Sequence, residues 1–203
     1  MIDTTRERIL EAATVIIRDS GVEGLTVEAA ADLAGVSRKT IYNHFEGKYA
    51  LIDGAASAWT AHMLSALQEI ADDTALPFLP KLNAIVECAY AELKRGGRMI
   101  SGRPLSSGPD VAGFRAALQS KLQTFIQKII QDAINEGVVR LEFDARRLTF
   151  AIVNVVGGLT VLDGIEDEPF SRVDVLKDSL KAFVGGILTP SGAEAMRGSP
   201  LFE

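Results

Sequence analysis

The sequence predicts an all-α protein in which a small N-terminal head of three helices precedes a larger helical bundle, with about nine helices in all. Three observations predict this class. Apolar residues recur at spacings of three and four along most of the chain, which is typical of helices with one buried stripe. No stretch alternates polar and apolar residues for long enough to form a strand. Capping residues and glycines divide the chain at intervals of helical length.

The first two helices of the head are defined by their caps. The first helix is expected to run from about Thr5 to Ser20, and Gly21 is expected to end it in the left-handed conformation. Thr26 is expected to cap the second helix through its hydroxyl. A run of three alanines follows and keeps this helix thin, so that its neighbours can approach closely.

A sharp turn and a third helix complete the head. Gly35 can adopt the positive φ that a corner between two helices requires. Ser37 is expected to cap a third helix that ends near Phe45. Ile41 and Phe45 are four residues apart and should face inward together.

The remaining helices form the predicted bundle. A long fourth helix is expected from Lys48 to about Ala71. Later helices are expected at about 80–94, 110–135, 145–164 and 171–188. The tail after Pro190 lacks an amphipathic pattern and is expected to be frayed. The chain is therefore divided into a helix-turn-helix DNA-binding domain, 1–48, and a ligand-binding and dimerisation domain, 49–203.

The charge distribution limits how such a head could bind DNA. The formal net charge is −6, and residues 1–48 hold six basic and eight acidic residues. Bulk attraction to phosphate is therefore excluded as the source of affinity. Arg38, Lys39, His44 and Lys48 nevertheless cluster around the third helix, whereas most acids, Glu28 among them, are expected to lie away from it.

The third helix is the candidate for reading DNA. In a helix-turn-helix the second helix enters the major groove and contacts bases through its N-terminal residues. Arg38 or Lys39 can donate to guanine, Thr40 can contact a thymine methyl, and Lys48 suits a phosphate. The full set expected to contact DNA comprises Thr26, Ser37, Arg38, Lys39, Thr40, Tyr42, Asn43, His44 and Lys48.

These residues resemble the N-terminal domain of the TetR family of transcriptional regulators. The family pattern is matched at Thr26, Ala31, Ala34, Gly35, Val36, Ser37, Thr40, Ile41, Tyr42, His44, Phe45 and Lys48. The chain departs from it at Ala30 and Tyr49. The resemblance implies a regulator, most simply a repressor, whose binding to double-stranded operator DNA is controlled by a small molecule in the C-terminal domain. Arg38, Lys39 and Asn43 occupy variable positions of the pattern, so it carries no operator preference.

The last two helices are the expected homodimer interface. One head reads few base pairs, so useful specificity needs two heads on one face of the DNA. The segment 145–164 is apolar nearly all round, and the glycine pairs at 157–158 and 185–186 would let backbones approach. The alternative is a monomer whose core encloses both helices. The resemblance favours the dimer.

The middle helices could surround an unidentified small-molecule effector. Apolar walls with a few polar groups are typical of such sites. The candidate lining comprises Trp59, His62, Met63, Tyr90, Phe114, Leu118 and Phe125. Each of these residues would also suit a filled core, in which case the protein would bind DNA without ligand control.

Other functions find little support in the sequence. An all-helical enzyme is the remaining alternative, but no glycine-rich phosphate loop, nucleophile elbow or multi-histidine cluster is present. We expect no cofactor and no metal. The polar N-terminus, the single Cys88 and the short, interrupted apolar segments predict a cytoplasmic protein without a membrane span.

Overall fold

The structure is a computed structural model that describes residues 5–96, 109–158 and 165–201, with side chains for 5–96, 119–158, 165 and 167–201. The described part is helical throughout, apart from turns and one isolated bridge, as the sequence predicts. Its helices are α1 (Thr5–Gly24), α2 (Val27–Ala34), α3 (Arg38–His44), α4 (Lys48–Asp72), α5 (Phe78–Arg95), α6 (Pro109–Asn135), α7 (Ala145–Gly158), α8 (Arg172–Ile187) and α9 (Pro190–Ala195).

The head is a compact cluster of apolar side chains from α1, α2, α3 and the start of α4. Ile9, Ile17, Leu25 and Ile41 are its largest fully buried members. The positive φ expected at Gly21 is present, at 72°. The backbone is non-helical at this residue, and a further helical turn follows the kink to Gly24.

The fourth helix belongs to two hydrophobic clusters. Leu51 and Ala55 in its first turns are buried in the head, whereas Leu67 and Ala71 near its end are buried in the bundle. The helix crosses α1 closely at Gly54, where an added Cβ would lie 2.6 Å from Leu10 Cδ2. A continuous helix therefore connects the two cores without a hinge.

The bundle is built around α4, α5, α6 and α7, with α8 packed on α5 and α7. Its main cluster is formed by the facing stripes of α4 and α6, together with residues of α5, α7 and α8 and of the segment after α9. The predicted helix at 145–164 is described to Gly158, and the rest of it lies outside the described residues. None of the described helices is long and apolar enough to cross a bilayer.

The C-terminal tail corrects the expectation of a frayed end. Thr189 caps a ninth helix, and Met196 and Leu201 are buried in the main cluster of the bundle. The Ser199 hydroxyl lies 2.7 Å from Asn83 Oδ1 on α5. A bridge between Val139 and Leu188 attaches the start of the tail to the loop after α6. The segment is too short to show an amphipathic period, which is why the sequence pattern did not reveal its docking.

Candidate nucleic-acid interface

Both helices of the predicted helix-turn-helix begin at the expected caps. The Thr26 hydroxyl accepts a hydrogen bond from the Ala29 amide at 3.0 Å. The Ser37 hydroxyl accepts one from the Thr40 amide, also at 3.0 Å, and lies 2.8 Å from the Thr40 hydroxyl. Each cap satisfies an amide that the first helical turn leaves unpaired. The start of α3 is therefore fixed by side chains of its own sequence.

The turn between α2 and α3 is held from two sides. Gly35 has φ 64°, and its amide donates to carbonyls in the last turn of α2. From outside the motif, Arg8 on α1 donates through Nη2 to the Ala34 carbonyl at 2.5 Å. Both contacts satisfy carbonyls at the C-terminus of α2, where a positive charge also complements the helix dipole.

The inward face of α3 matches the predicted pair. Ile41 is completely buried and Phe45 nearly so, and both belong to the head cluster. The guanidinium of Arg6 on α1 lies 5.2 Å from the centre of the Phe45 ring, within the range of a cation–π contact. The packing of α3 against α1 fixes which of its residues face outward.

The predicted DNA-contacting residues share the surface that this packing leaves open. Tyr42 is 58% exposed. Thr40 and Lys48 are partly buried, and the other members of the set, Thr26, Ser37, Arg38, Lys39, Asn43 and His44, are exposed. The DNA contacts assigned to them stay predictions.

An acidic residue is part of this surface, contrary to the sequence-based expectation. Arg38 Nη1 lies 3.0 Å from Glu28 Oε1, and both side chains are largely exposed. Glu28 is in the first turn of α2 and ten positions before Arg38, so no local pattern indicated the contact. Only the folded turn brings the starts of α2 and α3 together.

Lys48 is also oriented by a contact with another helix. Its Nζ lies 3.4 Å from the backbone carbonyl of Glu23, near the end of α1. Lys48 is the first residue of α4, and Gly47 with φ 132° precedes it. The ammonium group and the first amides of α4 therefore lie beside the same surface, an arrangement suited to a phosphate.

The candidate ligand residues divide into three groups. Trp59 and Met63 of α4 and Tyr90 of α5 pack together against a small cluster formed by Leu93 and Leu176. Phe125 is buried in the main cluster, and His62 is exposed. The side chains of Phe114 and Leu118 lie outside the described residues.

Tyr90 is the polar group among these apolar side chains. Its hydroxyl is buried and has no hydrogen-bond partner in the described parts of the chain. Burial raises the pKa of this phenol, so it remains a neutral donor. Lys177 of α8 lies with Nζ 4.8 Å from the centre of the ring. An added Cβ on Gly96 would overlap the Trp59 ring, so the end of α5 closes against that side chain.

The predicted dimer helices carry an apolar and glycine-rich surface. Phe150 of α7 is 47% exposed. A Cβ added to Gly157, Gly158 or Gly186 would meet open space. The side of these helices that carries the glycines is therefore uncovered within the described part of one chain.

Comparison with known proteins identifies the head. Residues 9–55 match the family model for bacterial regulatory proteins of the tetR family. The match covers the whole helix-turn-helix and extends through Ala55, the α4 residue that is buried in the head. The resemblance to the TetR family is thus confirmed for the head.

Relatives of similar length extend the comparison to the rest of the chain. The transcriptional regulator UidR of Escherichia coli K12 is 26% identical over 92% of this chain and 94% of its own. The transcriptional repressor KstR2 of Mycolicibacterium smegmatis is 21% identical over 92% of each chain. Among solved structures, FadR of Bacillus subtilis in complex with stearoyl-CoA superposes with a TM-score of 0.60 and 18% identity, over 89% of this chain and 98% of that one. The chain thus has the head of a TetR-family DNA-binding regulator, and over most of its length it is similar to transcriptional regulators.

The cap at Ser37 provides a test of the local structure. Ser37→Ala removes the acceptor of the Thr40 amide and is expected to lower the free energy of unfolding by about 1 kcal/mol. Ser37→Asp keeps an acceptor and should stay within about 0.5 kcal/mol of the wild type. Urea denaturation followed by circular dichroism measures both. Equal losses from the two variants would contradict the capping role.

Proposed function

We propose that this regulator is a homodimeric repressor whose two heads bind operator DNA and whose DNA binding is controlled by an apolar small molecule in the bundle. Three parts of the proposal rest on separate observations. The capped and braced α3 supports DNA reading, the uncovered glycine surface of α7 and α8 supports the dimer, and the buried Tyr90 hydroxyl supports the ligand. The name of KstR2 as a repressor favours repression as the output.

The DNA-binding part of the proposal rests on the reading surface, which is formed by the starts of α2, α3 and α4. Arg38 and Lys39 lie at the exposed start of α3, where a helix-turn-helix contacts bases. Thr26 and Lys48 lie at the starts of the flanking helices, where amides and an ammonium group suit phosphates. In this division, Arg38 reads sequence while Lys48 positions the head.

Two substitutions test this division. Lys48→Ala should weaken binding to every duplex alike, because it removes a phosphate contact. The slope of log K against log salt concentration should become shallower by about one unit per head. Arg38→Ala should instead cost about 1–3 kcal/mol at one base position and relax preference there. Selection from a random duplex library, followed by anisotropy titration, measures both. Lys121→Ala, on the exposed face of α6, is the control.

Equal losses at every site from Lys48→Ala and Arg38→Ala would contradict the assigned roles. Failure of the wild type to enrich any sequence from the library would contradict sequence-specific DNA binding itself.

The dimer is supported by surface that one chain leaves uncovered. Phe150, Gly157 and Gly158 lie on α7, and Gly186 lies on the neighbouring α8. Bare glycine backbone allows close helix contacts, and an exposed phenylalanine loses contact with water when a partner covers it. Two such helix pairs related by a two-fold axis would form an isologous four-helix interface. That symmetry would present the two heads to successive turns of the DNA.

A charge at Phe150 should separate the subunits. Phe150→Glu places a carboxylate opposite its own copy or beside apolar residues, and it is expected to raise the dimer dissociation constant by at least about tenfold. Leu141→Glu changes an equally apolar residue that is 83% exposed in the loop after α6, and it should leave the dimer intact. Sedimentation equilibrium measures both. A wild type that is monomeric at micromolar concentration would refute the dimer.

An unpaired buried hydroxyl supports the ligand site. Within the described residues the Tyr90 hydroxyl has no partner, which costs roughly 1–3 kcal/mol, and a ligand that accepts from it would remove that cost. A small molecule between α4, α5 and α8 would reach Trp59, Met63 and Tyr90 together. The stearoyl-CoA bound to FadR of B. subtilis suggests a long-chain acyl compound as the first effector to examine here.

The fourth helix supplies a route from effector to DNA. Trp59 and Met63 lie on the same unbroken helix as Leu51 and Ala55, which are buried in the head. A ligand that shifts this helix would therefore move the head with it. The DNA-competent and incompetent states must bind the effector unequally, and a coupling of about 1–3 kcal/mol suffices.

The Tyr90 hydroxyl can be tested with and without an effector. Tyr90→Phe removes the unsatisfied donor, so the free protein should become more stable by about 1 kcal/mol, whereas the exposed control Tyr49→Phe should not change. Stearoyl-CoA should release the wild type from its selected duplex, and Tyr90→Phe should require roughly threefold to tenfold more. Urea denaturation and fluorescence of Trp59, the single tryptophan, provide the measurements.

A loss of stability in Tyr90→Phe would show that the hydroxyl is hydrogen-bonded within a filled core. That result, with no response to stearoyl-CoA, would favour the alternative of a DNA-binding regulator without ligand control.

A further inference from the structure

The contact between Glu28 and Arg38 places an acid inside the candidate reading surface. Arg38 is the first residue of α3, and Glu28 lies in the first turn of α2. Their charged atoms are 3.0 Å apart, with 65% of the Arg38 side chain and 49% of the Glu28 side chain exposed. The pair is therefore at the surface that DNA would approach, where both partners remain accessible.

The ion pair changes what Arg38 offers to DNA. A guanidinium is charged at all relevant pH values and presents its donors as a planar fork. With Glu28 at one arm, part of that fork is occupied and the positive charge is locally balanced. A phosphate must then compete with the carboxylate for Arg38, and the carboxylate itself repels the phosphate.

Glu28 hinders the binding of a guanine to Arg38 less than it hinders the binding of a phosphate. A guanine is uncharged, and its O6 and N7 can accept from Nη2 and Nε while Nη1 stays on Glu28. This sequence-dependent contact therefore leaves the ion pair intact. Phosphates occur at every position of every duplex, so a free Arg38 would add affinity everywhere. The ion pair between Glu28 and Arg38 should therefore lower non-specific DNA binding more than it lowers binding at a matched site.

We propose that Glu28 is a specificity-determining residue of the reading surface, because it holds Arg38 Nη1 and repels phosphates from the guanidinium while leaving its other donors free for a neutral base. This inference rests on the proposed DNA-binding function. The consequence is a lower affinity for duplexes that offer Arg38 only phosphate, with little loss at the preferred duplex.

A double-mutant cycle between Glu28 and Arg38 isolates this effect. The variants are Glu28→Gln, Arg38→Ala and their combination, in the full chain. Glu28→Gln removes one negative charge without changing the size of the side chain. Glu11→Gln, at an exposed position on α1, removes the same charge from the head and is the matched control. The two duplexes, each of about 30 base pairs to span two half-sites, are the sequence selected by the wild type and its scramble.

Glu28→Gln is expected to tighten binding to the scrambled duplex by about threefold to tenfold, because it removes one exposed ion pair from each of two heads. Binding to the selected duplex should change by less than about twofold. The gain should vanish in the Arg38→Ala background and should be absent in Glu11→Gln. On the scrambled duplex, the slope of log K against log salt concentration should become steeper by about one unit per head.

Three outcomes would overturn the inference while leaving the proposed function intact: no change in Glu28→Gln, equal tightening on both duplexes, or the same gain in the Arg38→Ala background. A wild type that selects no sequence would instead reject the DNA-reading function, and the role of Glu28 with it. Because the wild-type selection comes first, the two failures are distinguishable.

Discussion

The fold depends on one continuous helix that is buried at both ends in different cores. The fourth helix has 25 residues and spans about 37 Å at 1.5 Å per residue. Its first turns complete the head, and its last turns complete the bundle. Gly54 lets it cross α1 closely enough that Leu10 and Phe45 fill the space where a side chain would be. Because no break separates the two ends, α4 is a continuous connection between the bundle and the head.

Affinity for DNA in this protein has to come from position, because the overall charge opposes it. The head holds more acids than bases, and one of those acids is paired with the arginine at the start of the reading helix. Three other basic groups of the head also have internal partners: Arg8 contacts the turn, Arg6 contacts Phe45, and Lys48 contacts α1. These contacts stabilise the motif and leave fewer of the basic groups' donors available to DNA. What remains for DNA is a small, fixed set of donors.

The sequence predicts most of what is determined by neighbouring residues. Thr26, Ser37 and Gly35 define the helix-turn-helix because caps and left-handed turns depend on residues a few positions apart. The Glu28–Arg38 pair and the docked tail could not be predicted, because both depend on segments that only the tertiary fold brings together. The candidate ligand residues fall between these cases. Trp59, Met63 and Tyr90 do assemble, although the stripe pattern could not distinguish a site from a filled core.

The two hydrophobic clusters also differ in how much of the chain each one needs. The head cluster draws only on residues from Ile9 to Ala58, whereas the main cluster of the bundle needs side chains as far apart as Met63 and Leu201. During translation the head can therefore fold while the ribosome is still making the bundle. The bundle core must wait until Met196 and Leu201 have emerged from the exit tunnel. A nascent chain would thus carry a folded head before the core of the bundle can form.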